Sequence, residues 1–191
     1  MYKYIKKILD FIFSLVLIII LLIPMIIISI LILIFDRKSI IFKQDRTGLN
    51  GKNFQIFKFR TMKNGKVTKI GKYIRRLSLD ELPQLFNIIK GDMSFIGPRP
   101  WIPEYYQNMN KEQKRRVSVL PGLTGLAQVN GRNNINIFKK IDYDLEYVDN
   151  FSFKQDISII FKTVCVLFKK NIDISDEGID REIKDLKKQN K

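Results

Sequence analysis

FIFSLVLIIILLIPMIIISILILIF, residues 11–35, is a run of twenty-five residues without a charged side chain. As a straight helix it reaches ~37 Å at about 1.5 Å per residue, more than the ~30 Å of a bilayer hydrocarbon core. Each Leu, Ile or Phe near the middle of such a helix favours the bilayer by roughly 0.3–0.6 kcal/mol. The run is too long for the apolar part of a signal peptide and no small-residue cleavage site follows, so the anchor is expected to stay on. Lys3, Lys6 and Lys7 precede it and Arg37, Lys38, Lys43 and Arg46 follow it. Cationic flanks prefer the cytoplasm, and one crossing cannot place both there. Pro24, near the midpoint, removes a backbone donor and clashes with the carbonyl of Ile20, which favours a bend. Two readings stay open: a re-entrant helix hairpin that turns at Pro24 and leaves on the face it entered, and a proline-kinked spanning helix. The charged flanks favour the first.

Outward from this segment the chain changes character. The 191 residues carry a net charge of +15, and between Arg37 and Arg76 thirteen Lys or Arg face a single acid, Asp45. Such a block calls for an anionic partner: lipid headgroups, a sugar nucleotide or nucleic acid. There is no histidine and one cysteine, Cys165. Imidazole zinc sites, Cys-His pairs, Ser-His-Asp triads and a disulfide within the chain are therefore excluded. Any catalysis must come from carboxylates, lysine, serine, tyrosine or a metal held by oxygen.

The fold class expected is α+β, mainly helical. Ile40–Phe42 and Phe54–Phe59 read as strands of a small β-hairpin around Gly48-Leu49-Asn50-Gly51. Lys63-Asn64-Gly65-Lys66 reads as a linker into the basic stretch Lys69–Arg76. A helix is expected from about Ser78, through Leu85, Phe86, Ile88 and Ile89, to the stop at Gly91. Gly97-Pro98-Arg99-Pro100 is stiff, Lys111–Leu120 is a basic helical segment, and Gly122–Gly131 is loop-like. Phe151–Phe168 has helical spacing, either as an amphipathic helix in the membrane interface or packed in the core. The tail from Asp173 is expected to be solvated. This divides the chain into an anchor (1–38), a cytoplasmic domain (39–170) and a charged tail (171–191).

Asp80-Glu81 is the first candidate for chemistry. Ser78 and Glu81 also fit the S-x-x-E capping box, and acids favour a helix N-terminus, so the pair taken alone reads as a helix cap. Arg75 and Arg76 just upstream, Pro83 and Asp92 change that weighting. Adjacent carboxylates among arginines can hold Mg²⁺ and stay ionised, and without histidine a carboxylate is the natural covalent nucleophile toward phosphorus. Pro98-Arg99-Pro100 mounts a guanidinium between two fixed φ angles, suited to a phosphate. Lys58 and Arg60 share one face if Lys58-Phe59-Arg60-Thr61-Met62 is a strand. Arg132 follows Asn130-Gly131.

FKQDRTG (42–48), KFRTM (58–62), SLDELPQLFNIIKGDMSFIGPRP (78–100) and PGLTGLAQVNGRN (121–133) occur in this order. The set resembles the bacterial sugar transferase family, the monotopic polyprenyl-phosphate phosphoglycosyl transferases, and the likeness runs from the anchor to about Lys170. It implies a re-entrant membrane hairpin, interfacial helices and a site on the cytoplasmic face of the inner membrane. There a sugar-1-phosphate would pass from a UDP-sugar to polyprenyl phosphate, with release of UMP. By the resemblance Asp80 is the nucleophile, Glu81 its acidic partner, and the two hold Mg²⁺. Lys58, Arg60, Arg75, Arg99 and Arg132 are candidate substrate contacts, with Pro98 and Pro100 presenting Arg99. Inner-membrane lipids are expected partners and nucleic acid is not. Ile23 stands where a serine is common, Leu126 where tryptophan is usual and Leu120 where arginine is common. The rival reading is a non-catalytic membrane-tethered module that binds anionic lipid.

Overall fold

The computed structural model describes residues 1–36, 39–131, 135–167 and 179–189. Helix α1, Tyr2–Asp36, contains Pro24 and continues through it, so no second helix begins there. At about 1.5 Å per residue its 35 residues make ~52 Å of helix, measured along its axis. One stripe of it lies against the rest of the chain. Tyr2 and Lys6 both reach Asp156, and an Asp10 oxygen accepts from the Phe95 N–H at 3.4 Å. Leu17, Ile18 and Leu21 pack on Ile56, Leu85, Ile88 and Met93, while Met25, Ile28 and Ile32 pack on Phe59 and Ile74. The other faces leave Ile12, Ile19, Ile23, Ile26, Ile30 and Phe35 exposed.

The expected hairpin is present and longer than its apolar residues suggest. Strands β1 (Ile41–Thr47) and β2 (Asn53–Phe59) pair antiparallel, Ile41 opposite Phe59 and Thr47 opposite Asn53, around a 3₁₀ turn at Leu49–Gly51. The 63–66 linker is a second, smaller ribbon: β3 (Met62–Lys63) pairs with β4 (Lys66–Val67). Asn64 (φ 51°) and Gly65 (φ 76°) are both left-handed, as a type I′ turn requires.

Helix α2 (Lys69–Arg76) starts at Thr68, whose hydroxyl accepts from the Gly71 N–H. Gly71 is obligatory there, because a Cβ would lie 2.3 Å from the Thr61 carbonyl oxygen. The helix expected from Ser78 is split. A 3₁₀ turn at Leu79–Glu81 precedes α3 (Gln84–Lys90), and Gly91 at φ 79° ends α3 as read. The segment Gly122–Gly131 is not a loop throughout. Strand β6 (Gly122–Thr124) pairs in parallel with β5 (Ser94–Ile96), and α5 (Leu126–Asn130) follows. The basic 111–120 segment forms a 3₁₀ helix at Gln113–Val117.

Four helices complete the body: α4 (Pro103–Gln107), α6 (Ile137–Asp149), α7 (Phe153–Leu167) and α8 (Ile179–Gln189). In α7 the apolar positions at i, i+4, i+7, i+8 and i+11 (Phe153, Ile157, Ile160, Phe161 and Val164) are exposed, while Asp156 and Ile159 are buried. The expectation of a solvated tail fails at α8. Ile183 and Leu186 are buried with Tyr105, Met109, Ile137 and Ile141, and Glu182 accepts hydrogen bonds from Tyr105 and Lys140. Two apolar residues four positions or fewer apart give a short helix enough of a stripe to dock, whatever the charge of the other faces.

Candidate active site

The site grows from a turn in the backbone. Ser78 takes a left-handed conformation (φ 55°, ψ 21°), uncommon without a glycine, and makes no side-chain capping bond. The capping box is therefore not formed, because a residue in that conformation is not placed as a helix N-cap, and Glu81 is drawn elsewhere. The left-handed residue, the 3₁₀ turn and Pro83 together hold Asp80 inward, 8% exposed. Local strain of this kind is characteristic of functional sites.

Glu81 Oε1 accepts from Lys58 Nζ and from Arg99 Nη2, each at 2.8 Å. Burial opposes its ionisation most strongly, but the charges and hydrogen bonds of Arg99 and Lys58 outweigh it and hold the carboxyl well below the usual range. Asp80 differs. It enters no ion pair among the described residues, and burial, with the Glu81 charge, pushes its pKa above the ordinary value against the pull of Lys58 and Arg75. Adjacent carboxylates are thus tuned apart.

Each cation comes from a different element. Lys58 is on β2, which Asn87 of α3 ties in place. The buried Asn87 side chain accepts from the Phe57 N–H at 3.0 Å and donates to the Gln55 carbonyl at 2.7 Å. Arg75, at the end of α2, donates from Nε to Thr61 Oγ1 at 2.8 Å, and its charge acts on Asp80. Arg99 sits on a segment whose carbonyls are held one by one. That of Pro98 accepts from Gly122 N–H at 3.0 Å, and that of Trp101 from Thr47 N–H at 2.8 Å. Between them, Arg99 O accepts from Arg116 Nη2 at 2.7 Å and Pro100 O from Arg46 Nη1 at 3.4 Å.

Arg60 is not brought to the carboxylates. It lies just past β2, donates to the Ser39 carbonyl and hydroxyl at 3.0 Å, and stacks over Phe42 at 5.7 Å. Arg132 lies outside the described residues. Sequence reasoning missed Asn87, Arg116 and Asp144. Asn87 carried a signal, a polar residue inside the stripe Leu85, Phe86, Ile88 and Ile89. Arg116 carried none, since Lys114, Arg115 and Arg116 look alike until one of them is buried.

No group of three or more carboxylate or thiol side chains gathers as a metal cage among the described residues. The donor set of Asp80, with Glu81 already charge-paired, suits Mg²⁺ all the same. That ion commonly takes one or two carboxylates and completes its shell with water and substrate phosphate.

Residues 1–170 match the family model for bacterial sugar transferases, and the chain belongs to that family. It is 47% identical over 137 residues to the uncharacterized sugar transferase EpsL of Bacillus subtilis, covering 65% of this chain and 68% of that one. It is 38% identical over 181 residues to the UDP-glucose:undecaprenyl-phosphate glucose-1-phosphate transferase of Klebsiella pneumoniae, covering 83% of this chain and 39% of that one. The undecaprenyl-phosphate galactose phosphotransferase of Salmonella typhimurium is 32% identical over 203 residues, 88% of this chain and 41% of that one. The chain thus spans about two fifths of the length of the latter two relatives.

Proposed function

We propose that this chain transfers a sugar-1-phosphate from a UDP-sugar to a polyprenyl phosphate, such as undecaprenyl phosphate, and so starts assembly of a bacterial surface glycan. The reading rests on one observation above the others. A buried carboxylate in no ion pair among the described residues, Asp80, stands beside one that accepts from two cations, Glu81. The names of the Klebsiella and Salmonella relatives support the same donor and acceptor classes.

Two displacements at one phosphorus account for the transfer. An Asp80 oxygen attacks the phosphorus that bears the sugar; the bond to the bridging oxygen breaks and UMP departs with the electron pair. The lipid phosphate oxygen then attacks the acyl phosphate, frees the Asp80 carboxylate and leaves a polyprenyl diphosphate sugar. Lys58 and Arg99, gripping Glu81, set a cationic rim where the diphosphate must lie, and Arg75 adds charge behind Asp80. Asp80 and Glu81 would hold Mg²⁺ together with donor phosphate oxygens, and its charge would ease the approach of one anion to another.

The site works at headgroup depth on the cytoplasmic face of the inner membrane. Three features support a helix α1 that enters and leaves by one face. Both its halves rest on the same body, both flanks are basic, and α7 turns an apolar stripe outward as an interfacial helix would. Exposed Lys69, Lys72 and Arg76 on the neighbouring α2 suit anionic headgroups.

The test is UMP release from a panel of UDP-sugars with undecaprenyl phosphate and Mg²⁺. Wild type is expected to release UMP and to carry sugar phosphate on Asp80 when only donor is supplied. Release without such an adduct sinks the covalent step, and no release from any donor leaves the lipid-binding module as the better reading. For topology, the exposed Cys165 is replaced by serine and single cysteines are placed at Lys3 and Lys43. Labelling from opposite sides of the membrane would rule out the re-entrant arrangement.

A further inference from the structure

We propose that Arg116, held by Asp144, is a positioning residue for Arg99: it fixes the backbone from which Arg99 reaches Glu81 and the donor diphosphate. The proposal rests on the transferase reading and adds to it a residue that touches no substrate.

The geometry is specific. Arg116 and Asp144 side chains are each 2% exposed. One carboxylate oxygen, Asp144 Oδ2, accepts from both Arg116 Nε at 2.9 Å and Nη2 at 2.6 Å. The same Nη2 donates to the Arg99 carbonyl at 2.7 Å. The guanidinium also lies 3.8 Å from the centre of the Trp101 ring, so it grips two residues of the loop, Arg99 and Trp101. Prolines on either side of Arg99 supply no N–H. The Pro98–Trp101 stretch is therefore held through its carbonyls by donors from elsewhere. Arg116 makes a shorter bond to this stretch than Arg46 does, 2.7 Å against 3.4 Å.

Stability alone does not account for the pair. A buried ion pair is commonly no better than apolar residues of similar volume. This one leaves Asp144 Oδ1 buried without a hydrogen-bond partner among the described residues, an expensive arrangement for a mere prop. What an apolar replacement cannot supply is a directed N–H at the Arg99 carbonyl. That carbonyl belongs to the residue of the loop whose side chain donates to Glu81.

The test is a double-mutant cycle on the full chain in nanodiscs, with UDP as the binding probe and UMP release as the second readout. Arg116→Met/Asp144→Leu replaces the pair with apolar volume. It is expected to keep its Tm within a few degrees of wild type, to weaken UDP binding about tenfold, and to lower kcat/KM by about a hundredfold, as a small misplacement of a binding group does. In an Arg99→Ala background the same change is expected to add no further loss, because its effect runs through Arg99. Trp101, the only tryptophan, reports the loop by its emission, which should shift in the double variant. Unchanged UDP affinity, or an equal loss with Arg99 already removed, overturns the proposal. If the apolar pair does not fold, Arg116→Lys serves in the same cycle: it keeps a charge for Asp144 without the fork that reaches both partners. A wild-type chain that neither binds UDP nor releases UMP would count against the transferase reading itself, whereas an additive cycle counts against the clamp alone.

Discussion

Two clusters of opposite charges meet at Arg99, one through its side chain and one through its carbonyl, and they differ in what water can reach. In the Lys58–Glu81–Arg99 cluster the side chains are 17–43% exposed; in the Arg116–Asp144 pair both are 2% exposed. The first cluster can exchange one partner for a phosphate. The second has no room for exchange and serves geometry. The contrast separates groups that meet the substrate from groups that hold them in place, although all are built from arginine, lysine and carboxylate.

Asp80→Asn tests the open side most severely. Turnover is expected to fall below detection, with no sugar phosphate bound to the protein by mass spectrometry. The fold should gain: because burial raises the pKa of Asp80, its ionised form costs stability above that pKa, so Asp80→Asn is expected to show a higher Tm at neutral pH. Asp144→Asn tests the closed side. Leaving Arg116 buried without its counter-charge should cost about 3–5 kcal/mol in denaturant unfolding. Glu81→Gln is expected to lower kcat by about 10²–10³-fold, the scale for losing one organised electrostatic element, with a smaller loss of stability than Asp144→Asn.

The acid limb of kcat/KM sharpens the comparison within the open cluster. Glu81, with its pKa depressed, stays ionised as pH falls; Asp80, with its pKa raised, takes up a proton first. The limb should therefore belong to Asp80 and lie above the ordinary aspartate value of about 3.9. In Glu81→Gln it should move to lower pH, since a repelling carboxylate is gone and Lys58 is freed to favour ionised Asp80. A limb that stays put in Glu81→Gln would detach it from Asp80. The smallest expected effect is at Arg60, bound to Ser39 and away from the carboxylates. Arg60→Gln should leave UDP affinity within about threefold, as surface changes away from special features are within about 0.5 kcal/mol.

Legibility in the sequence tracked the range of the interactions. The first hairpin was visible because alternation and a Gly-Leu-Asn-Gly turn are local. Asn64-Gly65, the turn signal of the second ribbon, is equally local, yet strands of two residues show no alternation and the segment reads as a linker. The parallel pairing of β5 with β6 had no signal at all. Three-residue strands 28 positions apart meet only through backbone bonds, and glycine at 97 and 122 permits the approach: a Cβ at Gly122 would stand 2.1 Å from Gly97 N. Tail helix α8 is hidden by its charge, since Ile183 and Leu186 are apolar docking residues in a stretch of charged ones. At the site, the S-x-x-E spacing alone reads Asp80-Glu81 as a helix cap; the nearby Arg75 and Arg76 and the lack of histidine argue for chemistry, and the family resemblance assigns the roles. Strand alternation groups Arg60 with Lys58, whereas Arg60 turns to the Ser39–Ile41 segment because β2 ends at Phe59 and alternation no longer governs it.

By itself the sequence determined a bilayer-seeking helix, a basic body without histidine and the family to which both belong. Those properties are sums over residues or contiguous motifs, and no fold is needed to count them. The tertiary structure alone decided which of two neighbouring carboxylates is paired with cations, which of three consecutive basic residues is buried, and which side chain reaches the Arg99 carbonyl. Each depends on groups 17 to 28 positions apart coming within about 3 Å of each other, and burial, which sets their charge and their partners, exists only once those segments have packed.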